Sequence, residues 1–389
     1  MRIFHMGDWH IGKLVNGFYM TEDQEYIIDQ LYLAIEEKKP DVLIIAGDLY
    51  DRSIPPVPAV ELLNNALIKI VRDLNTKVIA IAGNHDSNER VEFASSLLAS
   101  SGLYISGSLK EKIEKVTLED EFGKVNFYPI PYADVPYIRD LFQDEEIKNY
   151  DIAMERVVSN ISKEINKEER NIAIAHGYVT KVSEDSYEEL EVSDSEKPLS
   201  IGGTEYISSK HFDIFNYTAL GHLHGPQKVG SDKIRYSGSL MKYSFSEVKH
   251  KKGITIVDID EKGEVIIEFY PLKPKRDFRV IEGELSDIIK AFDKDALDNE
   301  DYIKVTLKDK GEVLDPMAKL RALYPNVMEL IREEKTLRNN NKNVALNIKE
   351  KSKLTLFENF YEDILGDKSS KEELSIMESI IQAAEKVGE

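Results

Sequence analysis

RIFHMGDWHIG, residues 2–12, runs a short β-type stretch straight into a cluster of Gly, Asp, Trp and His. The layout recurs in VLIIAGDLYD (42–51), VIAIAGNHD (78–86), IAIAHG (172–177) and YTALGHLH (217–224). Short apolar runs that stop at Gly, Asp and Asn read as buried strands whose tips carry polar side chains. Val125–Ile130 is a further such run. Between the runs, Glu22–Glu37, Ala59–Arg72 and Glu89–Ala99 hold apolar residues at helical spacing. The second of these is opened by Pro55, Pro56 and Pro58, a residue type tolerated at a helix start. β-runs alternating with helices predict an α/β sandwich with its chemistry at the strand ends.

Outward from this core, Ile254–Ile259 and Val265–Tyr270 flank a Lys-Gly turn and close a first domain, residues 1–270, with a hairpin. PLKPKR (271–276) reads as a linker into a small α+β domain, residues 271–334. Its order is strand Phe278–Gly283, helix Leu285–Phe292, strand Tyr302–Leu307, helix Asp315–Leu323 and strand Val327–Arg332. Residues 335–353 hold six basic residues and one acidic residue in Asn-rich sequence, a basic linker by composition. In the final segment, 354–389, Phe357, Phe360, Tyr361, Ile364 and Leu365 fall on one helical face. Ser370 with Glu373 then makes a capping box before a second amphipathic helix. These helices either fold back on the chain or dock in a partner's groove. Ser183–Glu196 has seven acidic residues in fourteen and no basic one, and reads as a solvated loop, with a calcium site as the weaker alternative.

The 389 residues imply two to three domains. A hydrophobic fraction of 42% supports real cores. The net charge of -20 excludes nucleic-acid binding by bulk charge, so any such binding needs a local basic patch or a metal. Cysteine is absent, which removes disulfides, thiolate zinc, iron–sulfur clusters and a cysteine nucleophile. With no signal-peptide pattern at the N-terminus and no apolar run of membrane length, the expected location is cytoplasmic, with no membrane partner.

Five islands hold the candidate ligands: Asp8 and His10; Asp48; Asn84, His85 and Asp86; His176; and His222 and His224. They contain five of the eight histidines. Any one island alone reads as a turn Asp or a satisfied core His. Together, carboxylates, imidazoles and an Asn carbonyl at strand tips suit divalent manganese or iron, and suit zinc or magnesium less well. His5, on the first strand, points away from Asp8 and reads as a packed core residue, with a supporting role behind the ligands as the alternative. Arg52 sits where it would contact a substrate phosphate. Asp86 reads either as a group that orients His85 or as a helix N-cap before SNER.

The ordered set D-x-H, GD, GNHD, H-G and GH-x-H resembles the binuclear metallophosphoesterase superfamily. GDWHIG (7–12), GDLYDRSIPP (47–56), AGNHDSNER (82–90), GHLHGPQ (221–227) and YSGSLMKYSFSE (236–247) resemble its SbcD-type DNA-repair nuclease branch. The likeness is strong over the first domain and moderate beyond it. It implies a four-layer metallophosphoesterase β-sandwich flanked by helices, an α+β capping domain and a C-terminal helical tail. It also implies two divalent metal ions, most often Mn2+, with Asp8, His10 and His224 on one, Asn84, His176 and His222 on the other, and Asp48 between them. His85 would face the substrate and protonate the departing 3′-oxygen, with Asp86 beside it. Other branches carry His where this chain has Asp51, so that His's role does not transfer. Residues 236–239 would line the rim of the site, and Lys13, Asn16 and Arg90 join Arg52 as candidate DNA contacts by position.

The function implied is 3′-to-5′ exonuclease action on double-stranded DNA ends with single-strand endonuclease activity. It would be exerted with an SbcC-type coiled-coil ATPase bound to the tail, in DNA end processing, hairpin cleavage, recombination and repair. No G-x-x-x-x-G-K-[ST] motif is present, so ATP dependence belongs to that partner. Ala59–Arg72 and Glu89–Ala99 resemble the family's homodimer helices, with burial inside the monomer as the alternative. Two rivals stand: a metallophosphodiesterase for a small-molecule phosphodiester or a phosphoprotein, toward which the net charge leans, and a non-enzymatic scaffold with a vestigial site.

Overall fold

The computed structural model describes residues 1–182, 188–196, 199, 206–311, 313–333, 354, 357–358, 361 and 369–387. Contacts divide the chain into Met1–Ile331 and Arg332–Glu389.

In the first unit, two six-stranded sheets face each other. One runs Val265–Pro271, Gly253–Ile259, Arg2–Met6, Val42–Ala46, Lys77–Ile81 and Leu103–Ser106. The other runs Gln227–Val229, Ser231–Tyr236, Tyr217–Gly221, Arg170–His176, Gly123–Ile130 and Val116–Asp120. Strands Arg2–Met6, Val42–Ala46 and Lys77–Ile81 are parallel neighbours, as are Gly123–Ile130, Arg170–His176 and Tyr217–Gly221. Parallel strands buried on both faces need continuous apolar sequence, and VLIIA and NIAIA supply it.

The faces between the sheets meet in a core that includes Ile44, Ile79, Phe127, Ile174 and Val257. Helices Thr21–Lys38 and Val57–Ile68 cover one outer face through Ile27, Leu31, Ile35, Leu63 and Ala66. Helices Val135–Phe142 and Tyr150–Ser162 cover the other through Ile138, Ala153 and Val157. This is the expected four-layer sandwich. The two helices on the second face carry their own start signals, since Asp134 and Asn149 accept hydrogen bonds from Tyr137 N and Ile152 N.

The expected third helix is broken. Asn88–Glu92 stops at Phe93, and Ala94 takes a left-handed φ of 60° before Ser95–Leu98. Phe93 and Leu97 stay exposed, while Val91 and Leu98 on either side of the break pack against the core. The second helix also ends early, passing at Lys69–Asp73 into a wider turn.

Phe278–Gly283, Tyr302–Leu307 and Val327–Arg332 form a three-stranded sheet with its own core of Ile303, Val305, Leu320 and Val327. It is tied to the helix Thr21–Lys38. Arg276 donates to Asp23 through Nε at 3.0 Å and Nη2 at 2.7 Å, and Tyr302 Oη donates to the same carboxylate at 2.8 Å.

In the second unit the capping box is present. Ser370 N donates to Glu373 Oε2 at 2.7 Å and Glu373 N to Ser370 Oγ at 3.3 Å, ahead of helix Lys371–Val387. The basic linker lies outside the described residues, and the preceding tail helix falls mostly outside them. No helix among the described residues is long and apolar enough to cross a membrane.

The sandwich is stitched at its far edge by Arg170, whose Nη1 and Nη2 lie 2.8 and 2.5 Å from Asp120, with the N-terminal ammonium at 2.9 Å. Arg170 holds the Asp120 carboxyl well below its ordinary range, against the opposing effect of burial. Asp120→Asn should therefore cost about 3 kcal/mol of stability at neutral pH. Because the folded carboxyl titrates below the unfolded one, that stability is present above pH ~4 and lost on acidification. Urea melts at pH 7 and pH 3 check this, and the gap between wild type and variant should shrink at the lower pH.

Candidate active site

The strand ends of both sheets meet at one edge, and glycine allows the approach. At Gly47, φ +94°, an added Cβ would lie 2.2 Å from His176 Nδ1. At Gly221 it would lie 1.8 Å from Ala46 O. Asp8, His10, Asp48 and His222 all adopt positive φ (51°, 45°, 49° and 108°). That backbone is uncommon for such residues and is held where the surroundings enforce it. Asp8 N donates to Gly47 O at 3.0 Å and His10 N to Asp48 O at 2.9 Å, locking the first two islands together.

The side chains converge as a set of acceptors. His176 Nδ1 lies 3.0 Å from the Ala46 carbonyl, to which it must donate, so Nε2 carries a lone pair. That lone pair faces Asn84 Oδ1 at 2.9 Å and Asp48 Oδ2 at 3.5 Å. Asp48 Oδ1 accepts from His85 N at 2.8 Å, leaving Oδ2 between His176 and His10 Nε2, the latter at 3.6 Å. His10 Nε2 and His224 Nε2 are 3.1 Å apart, and His10 Nδ1 is buried with no hydrogen-bond partner. Asp8 accepts from His222 N at 2.9 and 3.0 Å, and the His222 ring lies 5.4 Å from that of His176. Ligand atoms lie within 4.8 Å of one another in Asp8–His10–His224, in Asp8–Asp48–His176 and in His10–Asp51–His85.

Electrostatics agree with the geometry. Burial, then the nearby Asp48, pushes the Asp8 carboxyl well above its ordinary value. Burial pulls His10, His176, His222 and His224 down, so all four imidazoles are neutral at pH 7. Lone pairs aimed at one another beside two close carboxylates are unfavourable unless a cation sits among them.

The other expected residues fall in different places. His85 Nδ1 lies 2.9 Å from Asp51 O, so that carbonyl fixes the ring. Asp86 makes no hydrogen bond to the His85 ring and caps no helix. Its two oxygens accept from Leu49 N, Gly83 N and Tyr50 N at 3.0, 3.0 and 2.9 Å, tying two islands together, and burial lifts its pKa to about 7. The helix behind it begins at Ser87 without a side-chain cap.

Arg52 is exposed, 3.7 Å from Asp51. Lys13 is buried with Nζ 2.7 Å from Asp51 Oδ1, and Asn16 donates to Glu329 at 2.9 Å. His5 sits in the core between Tyr217 Oη (2.9 Å) and Leu220 O (3.2 Å). Residues 236–239 lie beneath the site rather than at its rim, with Leu240 N donating to Asp8 O at 3.3 Å.

Several supporting residues carry no sequence signal of their own. Gln24 Nε2 donates to His10 O at 2.8 Å and Tyr243 Oη at 2.9 Å, and its Oε1 accepts from Gly12 N at 3.0 Å. Buried Glu247 and Lys252 stand behind His224. The end of the acidic stretch is not a solvated loop: Glu196 Oε1 accepts from His224 N at 2.7 Å, and burial raises its pKa to about 7.

Two family models match this sequence. The calcineurin-like phosphoesterase model covers residues 1–226, which contain every one of the convergent ligands. The chain belongs to the calcineurin-like phosphoesterase family. The SbcD C-terminal model, described as the type 5 capsule protein repressor C-terminal domain, covers residues 274–364. Solved structures similar to this phosphoesterase include a dimetal phosphatase from Danio rerio, at 9% identity and TM-score 0.39 over 69% of this chain and 99% of that one. A Thermus thermophilus protein matches at 10% identity and TM-score 0.37 over 69% and 98%.

This phosphoesterase is thus a metal-dependent hydrolase of SbcD type, and its fold implies a dinuclear divalent centre. The residues fit that group: neutral imidazoles, paired carboxylates and an Asn oxygen bring their lone pairs together at one place. Manganese at a hundredfold its Kd should stabilise the fold by about 2.7 kcal/mol per ion. Calorimetric melts with manganese and with EDTA measure this, and Asp48→Asn should remove most of the gain.

Proposed function

We propose that this phosphoesterase is a DNA nuclease, a 3′-to-5′ exonuclease on duplex ends and a single-strand endonuclease. It would work with an SbcC-type coiled-coil ATPase in end processing, hairpin cleavage, recombination and repair. The observation that carries the reading is the SbcD C-terminal match over residues 274–364, directly following a phosphoesterase core. A small-molecule hydrolase has no need of that segment.

Asp8, His10 and His224 would hold one ion and Asn84, His176 and His222 the other, with Asp48 Oδ2 between them. The mixed oxygen and imidazole donors favour manganese. When bound, two such cations supply Lewis-acid activation of a phosphate and a lowered pKa for water. His85 has its Nδ1–H committed to the Asp51 carbonyl, so Nε2 of the imidazolium is the atom that gives a proton to the departing 3′-oxygen. Asp86 serves by holding the Leu49–Tyr50 turn against Gly83, which sets where His85 stands. Arg52, exposed beside Asp51, is placed to meet a backbone phosphate.

The exposed Ile54, Val57, Phe93 and Leu97 support a homodimer. Residues 354–389 would bind the ATPase, and the apolar Ile376 and Ile380, exposed in the described tail helix, support that docking.

The second reading, a small-molecule phosphodiesterase, is favoured by the net charge of -20. End-labelled duplex and single-stranded DNA, incubated with the purified chain and manganese, magnesium or EDTA, separates the two. Manganese-dependent DNA cleavage should appear. His85→Ala should lower kcat about 10²- to 10⁴-fold while metal content is unchanged. Turnover of a bis-phosphodiester small substrate with DNA untouched, even with the ATPase and ATP present, would replace the nuclease reading.

A further inference from the structure

Behind His224 lies a buried charged network whose contacts no sequence motif announces, although Glu247 closes the stretch YSGSLMKYSFSE. Glu247 Oε1 accepts from Ser195 Oγ at 2.5 Å and Ser193 Oγ at 2.7 Å and lies 3.3 Å from His224 Nδ1, while Ser195 Oγ itself lies 2.7 Å from that Nδ1. Its other oxygen lies 2.6 Å from Lys252 Nζ, and both residues are more than nine-tenths buried. Lys252 donates onward to the His224 carbonyl at 2.7 Å and to Ser239 Oγ at 2.8 Å. His224 is therefore held at its ring, at its N–H by Glu196 and at its carbonyl by Lys252. His176 instead has its ring fixed by the Ala46 carbonyl.

We propose that Glu247 is a positioning residue that acts through His224: it confines the ring proton to Nδ1, leaves the Nε2 lone pair facing His10, and so sets the strength of one of the two metal positions only. The inference rests on the reading of His224 as a metal ligand. A carboxylate can only accept, so Ser195 gives its one O–H to Glu247 and its oxygen accepts from His224 Nδ1, with Glu247 Oε1 as the second acceptor at 3.3 Å. Lys252 sharpens the constraint because its ammonium can only donate, which demands an oxygen on its side of residue 247. In Glu247→Gln the amide oxygen must then turn to Lys252 and the amide nitrogen to His224. Ser195 Oγ, now accepting from that amide, turns its O–H to His224 Nδ1, and the ring proton moves to Nε2, the wrong tautomer for a ligand. Glu247→Gln combined with Lys252→Met releases the amide to turn its oxygen back toward the ring.

The test titrates manganese into the metal-free chain by calorimetry, with manganese electron paramagnetic resonance to separate coupled pairs from single ions. Glu247→Gln should bind the first ion normally and the second about 10- to 100-fold more weakly, with a single-ion spectrum at intermediate loading. The double variant should recover part of the loss. Wild-type binding in Glu247→Gln, or equal loss at both positions, overturns the proposal. Should Glu247→Gln fail to fold, ¹⁵N shifts of the His224 ring in the metal-free wild type decide: a proton on Nδ1 supports the proposal and one on Nε2 sinks it. His224→Ala keeps the two readings apart. If it leaves both ions bound as in wild type, the ligand assignment itself falls, whereas loss at one position in His224→Ala without loss in Glu247→Gln removes Glu247's role alone.

Discussion

Everything at the strand ends depends on acceptors crowded against acceptors. A neutral imidazole nitrogen 2.9 Å from an amide oxygen and a carboxylate oxygen between two rings are contacts that repel in isolation, and two imidazole nitrogens 3.1 Å apart share at most one proton. The rest of the sandwich supplies the force that keeps them there. Two sheets share one apolar interior, helices close both outer faces, and glycines at 47 and 221 let backbone from opposite sheets touch. Stability is thus spent on assembling a charge pattern that only a bound cation satisfies.

The ligands are held mostly through main chain. Asp86 binds three backbone N–H groups, His176 leans on Ala46 O, His85 on Asp51 O, and Gln24 accepts from Gly12 N and donates to His10 O. Such contacts fix rings and loops at once, which is how short side chains from five separate stretches keep a common geometry. The region after Lys275 is linked to the same scaffold. Asp23, which accepts from Arg276 and Tyr302, is next to Gln24, which donates to the His10 carbonyl.

The strands and the convergent ligands could be read from sequence because each is encoded locally: an apolar run, a glycine, then Asp, Asn or His. The strands Arg2–Met6 and Val42–Ala46 fall where that pattern ends. The break at Phe93–Ala94 could not be read so, since apolar spacing in Glu89–Ala99 suits a helix and the left-handed turn at Ala94 leaves no mark in that spacing. Asp86 was ambiguous for a related reason: an Asp before SNER looks like a cap, and its true partners, Leu49 and Tyr50, are far away in sequence. Lys252 and Glu196 lie at positions with no local signature, Glu247 closes the stretch 236–247 with nothing in it that points to His224, and the acidic composition of 183–196 concealed that its end is buried against His224.

The contrast between backbone-held and side-chain-held ligands carries an evolutionary consequence. A carbonyl partner survives any point mutation and an N–H is lost only to proline, so His176, His85 and Asp86 tolerate drift in the side chains around them. His224 depends on Glu247 and Lys252, two side chains that must change together or not at all. Neutral variation should therefore flow around one half of the centre and stall at the other.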